Sequence, residues 1–369
     1  MKVRKIMVVL LSALMVFALA ACSGGDKKEE APASSASAAS ASTSEAAPAE
    51  EGATYQLHFS TCFAESHPWS RGIKLLADTL AERSGGRITA ECHYSDSLAG
   101  GNTSTTIEMT GTGANTLEIN SPTVHQTWND KFAMFALPYL FADQEVGFEV
   151  LNNTEAGQEW KTWMQDQNMV GVGVTQNGYR HLTTIKKQVK TPADISGMKI
   201  RIPNTKTGNA IFDTLNASPQ VISMADVYTG LQNGTVDGQE NPTPVITSNK
   251  LYEVVDYVTV WKYLWDPAFV FVNADFYNSL SDADREMFDT AVQEMCDFIT
   301  EEVNKAEAED LALFEKEGCT VYTLTDEENA AFEEAMHPVY DQFRDSIGAD
   351  YMDKVLATIA EVEKAQGKA

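Results

Sequence analysis

Five residues in this chain have types and spacing that could do chemistry: Arg180, Arg201, Asp237, Glu240 and Asn241. A guanidinium stays charged and presents a planar fork that matches a carboxylate through two parallel hydrogen bonds. An arginine in apolar surroundings must therefore find an anion. Arg201 lies near the end of the alternating stretch 199–202, a short strand stopped by Pro203, and Arg180 follows another strand-like stretch 21 residues earlier. Each either pairs with one of the many Asp and Glu side chains or holds an anionic ligand. Asp237 and Glu240, three residues apart, have the spacing of paired carboxylates for acid and base work. The competing reading makes them turn and helix-cap residues beside Gly234 and Gly238. Asn241, before Pro242, offers a donor and an acceptor that suit a carboxylate or a hydroxyl. Met224 either lines a pocket or fills core.

Other reactive sets do not assemble in the sequence. His67, His93, His125, His181 and His337 show no metal-ligand spacing, and no HExxH, GxSxG or phosphate loop occurs. The expectation is therefore no catalytic residue, no metal and no cofactor. Cys62, Cys92, Cys296 and Cys319 lack the Cys-x-x-Cys spacing of a metal cage. Cys62 and Cys92 fall on the first two predicted strands and either pair or remain free thiols. Trp69, Trp128, Trp261 and Trp265 either build an aromatic pocket or pack in the core.

The chain has 369 residues and a net charge of −26. Lys2, Arg4 and Lys5 precede an apolar run from Ile6 to Ala21 that ends at Leu19-Ala20-Ala21-Cys22. This pattern reads as a lipoprotein signal peptide, residues 1–21, with Cys22 as the acylated residue. Residues 22–53, rich in Ala, Ser, Pro and Glu, read as a disordered tether. Cleavage would take the charge to −29, which disfavours nucleic acid or an anionic membrane surface as partner. A small anion remains acceptable, because exposed charges beyond about 8 Å are largely screened.

The elements that must hold the five residues follow an α/β order. Residues 55–63 read as a strand, 69–83 as an amphipathic helix begun at Ser66 or His67, 88–94 as a second strand, 104–110 as a helix and 116–120 as a third strand. This order predicts a parallel sheet with a cleft beyond its carboxyl ends, at Cys62-Phe63, Tyr94 and Asn120-Ser121. A helix is expected over 145–168 and an apolar strand over 170–176. After the Arg201 strand come a helix from Thr207, a brief extended piece at Val221-Ile222, a helix over 226–232 and a turn at 237–241. An extended run over 254–264, broken near Asp266-Pro267, precedes an apolar strand over 268–273, which leads to one long helix over 282–317. A strand over 319–324 and helices over 326–346 and 349–365 finish the chain.

The segments KIRIPN and SMADVYTGLQNGTVDGQENP, at 199–204 and 223–242, closely resemble the signature region of the solute-binding proteins of TRAP (tripartite ATP-independent periplasmic) transporters, dicarboxylate-binding type. Supporting matches are His67-Pro68, Ser84-Gly85-Gly86, Leu137-Pro138-Tyr139-Leu140-Phe141 and Asn177-Gly178-Tyr179-Arg180. By this resemblance Arg201 is similar to the family arginine that salt-bridges a ligand carboxylate. Asn241 is similar to the asparagine that helps hold it, and Arg180 to a second, more variable ligand arginine. Met224 stands where relatives often have an aromatic wall, Ser121 near a position acidic in some members, and Tyr263 where many carry His. The implied fold is α/β and periplasmic-binding-protein-like, with two domains, 54–178 plus 267–306 and 179–266 plus 307–369, a cleft between them and the long helix across both. The implied function is capture of a small organic acid by domain closure and its delivery to a TRAP-type membrane permease. The protein is then an extracytoplasmic monomer, anchored to the membrane by a lipid on Cys22 and not an enzyme. Two other readings stay open: a secreted hydrolase using Asp237 and Glu240, and a sensory receptor for the same class of acid.

Overall fold

Ten strands share one twisted arrangement in the computed structural model, which describes residues 52–368. The expected signal peptide, Cys22 and nearly all of the tether lie outside the described residues. The strands are β1 (Tyr55–Ser60), β2 (Ile88–His93), β3 (Leu117–Asn120), β4 (Met169–Thr184), β5 (Lys199–Ile202), β6 (Ser218–Val221), β7 (Gly238–Pro242), β8 (Tyr257–Val260), β9 (Trp265–Asn273) and β10 (Thr320–Thr323). Their main order is β2-β1-β3-β9-β4-β7-β5-β6, with β8 on β4 and β10 on β8.

The early elements arise as the sequence suggests. His67 caps helix α1 (Pro68–Arg83) by accepting from Trp69 N, and Pro68 fills the first turn, where no amide partner is needed. Helices α2 (Thr103–Thr112) and α3 (Pro122–His125) follow, the latter capped by Ser121. β1 pairs in parallel with β2 and β3. The sheet is nevertheless mixed, because β9 arrives from far along the chain and lies antiparallel to both β3 and β4.

β4 is the element that organises the site. The expected strand stops at Gln176; the observed one continues to Thr184. Its first half pairs with β9, and from Arg180 onward it pairs with β7, joined by β8 from Leu182. A register shift at Gln176/Gly178 marks the change, and Gly178 has φ +103°, a conformation that side-chain-bearing residues rarely adopt. The Asn177-Gly178 pair thus sits at a bulge inside one strand.

Two further expectations are corrected by pairing over long sequence separations. Where a turn is expected over 237–241, residues 238–242 form the fully buried strand β7 between β4 and β5. Its polar sequence hides this because its side chains are satisfied inside the fold. β9 runs unbroken through Asp266 and Pro267, with Pro267 opposite Gln176 at the register shift, where a missing amide is tolerated. The expected helix over 145–168 is instead α4 (Gln144–Asn153) and several short helical turns, since Thr154 ends α4 and caps the next segment. Pro338 likewise splits the expected 326–346 helix into Asp326–Met336 and Pro338–Ile347.

The long helix, Asp282–Glu317, begins as expected at a Ser281 cap and ends at Gly318. Phe288, Val292, Met295 and Ile299 pack into the core shared by α1 and β1 to β3, while Phe314 joins a second core with Val227, Leu231 and Val258. Gly72 of α1 meets this helix so closely that a Cβ there would sit 2.5 Å from Ile299. All four described cysteines are free thiols, which selects that reading for Cys62 and Cys92. Among the described residues, no helix is long and apolar enough to cross a membrane.

Candidate functional site

A cavity of about 520 Å³ opens beyond the carboxyl ends of β1, β3, β5 and β6. This is where an α/β sheet leaves backbone groups and loops free to meet a ligand. All five predicted pocket residues line it: Arg180 from β4, Arg201 from β5, Asn241 from β7, Ser121 at the cap of α3, and Met224 at the start of the helix Met224–Gln232. Cys62, Phe63 and Asn120 line it too, as the strand-end argument expects. Tyr94 does not; it lies in a separate depression with Lys74 and Cys92. Trp69 is the one tryptophan on the wall among the described residues, with its Nε1 donating to Gln176 O at 2.9 Å. Trp261 and Trp265 are buried in the core.

The two arginines are equally buried, with 3% exposure for Arg180 and 2% for Arg201, yet their surroundings differ. Arg180 Nε and Nη2 donate to the Glu240 carboxylate, the latter at 2.7 Å, and Nη1 donates to Asp266 Oδ2 at 2.7 Å. Nη2 also reaches Asn241 Oδ1 at 3.1 Å. Burial opposes the charge on Arg180, but the Glu240 and Asp266 carboxylates outweigh it and hold the guanidinium well above its ordinary pKa. Tyr263 donates to Glu240 at 2.7 Å, while Ser121 Oγ and Asn177 Nδ2 donate to Asp266. The result is a closed polar network.

Arg201 has no such partner. Its Nε donates to Ile222 O at 2.8 Å, and its buried Nη1 has no hydrogen-bond partner among the described residues. Burial pulls its pKa down to about 10, against a weaker pull upward from Glu240. It is still a cation at neutral pH, facing a cavity without a compensating anion.

The paired-carboxylate reading loses its geometry here. Asp237 is held at the surface side by Lys186 and accepts from Lys199 N at 2.9 Å, whereas Glu240 is buried against Arg180. Neither lines the cavity. Sequence reasoning also missed Asn177 and Asp266, whose roles depend on contacts 86 or more residues apart in the chain. It missed, too, that His58, Glu91 and His93 converge on the β1/β2 edge, with ligand atoms within 4.8 Å of one another. His58 Nδ1 and His93 Nε2 are 3.0 Å apart. Spacing along one chain does not reveal a trio drawn from two neighbouring strands, and this trio lies away from the cavity.

The family described as bacterial extracellular solute-binding protein, family 7, matches residues 59–346. A sialic acid-binding periplasmic protein of Vibrio cholerae is 31% identical over 285 residues, covering 77% of this chain and 87% of that protein. A TRAP periplasmic solute-binding protein from Ralstonia eutropha H16, solved with bound (S)-2-acetolactate, is 29% identical with a TM-score of 0.78 and covers 83% of this chain and 99% of its own. One from Shewanella oneidensis, solved with bound succinate, is 25% identical at a TM-score of 0.78, covering 83% and 100%. The expected two-domain, periplasmic-binding-protein-like α/β fold is therefore the fold of this protein. The chain belongs to the bacterial extracellular solute-binding proteins of family 7, the binding components of TRAP transporters.

Proposed function

We propose that this protein captures a small organic acid by its carboxylate and delivers it to a TRAP-type membrane permease, without chemical turnover. The observation that carries the reading is the buried Nη1 of Arg201, an unpartnered cationic donor on the cavity wall. A buried unpaired charge is unfavourable, and a ligand carboxylate would relieve it with hydrogen bonds worth about 1.5–3 kcal/mol each. Arg201 is the clamp, Asn241 and Arg180 frame it, and Met224 and Ser121 complete the wall. The relatives bind sialic acid, acetolactate and succinate, all of them acids, which fits the same chemistry.

Closure supplies the signal. In this reading one domain comprises 54–178 plus 267–306 and the other 179–266 plus 307–369, and the ligand favours the closed form that the permease distinguishes. The mature chain is a monomer tethered outside the cell by a lipid on Cys22. Calorimetric titration of the cognate acid tests the clamp. Arg201→Ala abolishes binding, and Arg201→Lys loses much of it because a point charge replaces a fork. Wild-type affinity in Arg201→Ala would refute the assignment.

A further inference from the structure

We infer that the ligand is a monocarboxylate carrying at least one hydroxyl group, taken in preference to a dicarboxylate. The inference rests on the carboxylate reading above and adds the ligand's class. Its first support is local charge. Among the described residues, Arg180 and Arg201 are the only charged ones on the cavity wall. Arg180 faces two carboxylates, Glu240 and Asp266, so that cluster carries a net negative charge. A second ligand carboxylate near Arg180 would meet repulsion rather than a clamp. Elsewhere the wall offers neutral amides, hydroxyls and apolar groups such as Phe63, Ile222 and Met224. One anionic group is satisfied, by Arg201, and a second is not.

The second support is an unused acceptor. Asn177 lines the cavity and is 2% exposed, and its Oδ1 has no partner among the described residues. Its Nδ2 donates to Asp266 Oδ2 at 3.1 Å; a carboxylate accepts only, so the amide orientation is set. Oδ1 is then an acceptor that needs a donor from the ligand. A hydroxyl supplies one donor and fits one acceptor. An ammonium brings three donors and a charge, and Asp266, already engaged by Arg180, Asn177 and Ser121, does not line the cavity to receive it.

The test is calorimetric titration of matched acids on the intact mature protein: 2-hydroxyisovalerate against isovalerate and valine, gluconate against glucarate, and malate and succinate. The hydroxylated monocarboxylates bind at least about 10-fold tighter than the analogue lacking the hydroxyl and than the dicarboxylates. Equal affinity for isovalerate and 2-hydroxyisovalerate, or tighter binding of valine, overturns the hydroxyl assignment. Tighter binding of glucarate, malate or succinate overturns the single-charge assignment and leaves the carboxylate clamp standing. Failure of every acid to bind overturns the clamp, and this inference with it. Asp266→Asn, checked for cooperative thermal unfolding, removes one of the two charges on Arg180 and shifts the gluconate-to-glucarate ratio toward glucarate by about 10-fold. An unchanged ratio in the folded variant refutes the charge argument.

Discussion

Arg180 and Arg201 lie on the same cavity wall, buried to the same degree, and differ in what surrounds them. Arg180 sits just beyond the bulge at Gly178, where β4 passes from β9 to β7, so Asp266 of one strand and Glu240 of the other both reach it. Arg201 sits on β5 beside the loop after β6, where Ile222 O is its acceptor and the cavity takes the remaining side. Their surroundings separate scaffold from binding group. A buried charge closed by its own fold holds strands together, whereas one left open requires something from outside.

The largest effect expected from breaking this contrast is at Arg180. Arg180→Met leaves Glu240 and Asp266 buried without their cation, and removing one partner of such a network destabilises by about 3–5 kcal/mol. Urea unfolding of the ligand-free protein measures it. Adding Glu240→Gln and Asp266→Asn restores much of the loss, because the uncompensated charges go too. If Arg180→Met unfolds like the wild type, Arg180 is not scaffold and the contrast fails.

Much of this was legible in the sequence because it depends on local pattern. The Arg201 strand, the His67-Pro68 helix start and the Ser281 to Gly318 helix follow from apolar periodicity, caps and breakers within a few residues. What stayed hidden depends on distant pairing. Gly238–Pro242 looks like a turn because it is polar and glycine-led, and pairing with the distant strand β4 and with β5 makes it a buried strand. Contacts 86 or more residues apart likewise kept Asp266 and Asn177 out of the predicted site. The sequence thus identified which residues could face a ligand but not which arginine was already occupied.

A buried charge outside the cavity sharpens the contrast at intermediate size. Asp310, on the long helix, is 8% exposed, and its Oδ2 has no hydrogen-bond partner among the described residues. Burial pushes its pKa up to about 6, while the nearby Thr247 and Thr243 hydroxyls relieve part of that cost. Unlike an arginine, it can escape by taking a proton. Its folded pKa lies above the unfolded value of 3.8, so the folded state binds more protons between those two pH values. Its contribution therefore weakens the fold as pH rises from about 4 to 6, and the full penalty, up to about 3 kcal/mol, is present above 6. Asp310→Asn raises the midpoint of thermal unfolding at pH 8, and the gain fades as pH falls toward 4. A gain of equal size at both pH values would show that packing, not charge, is responsible.

Arg201 permits the smallest and most discriminating change. It has no route out by deprotonation at neutral pH, since burial lowers its pKa only to about 10. Without ligand it is a strained feature of the fold rather than a support. Arg201→Met keeps most of the apolar stem packing against the wall and removes the orphaned donor. The ligand-free protein then gains about 1–2 kcal/mol in urea unfolding, while the cognate acid no longer raises its thermal midpoint. Arg180→Met moves the ligand-free measurement in the opposite direction. A loss of ligand-free stability in Arg201→Met as large as that in Arg180→Met would make the two arginines the same kind of residue and dissolve the distinction between them.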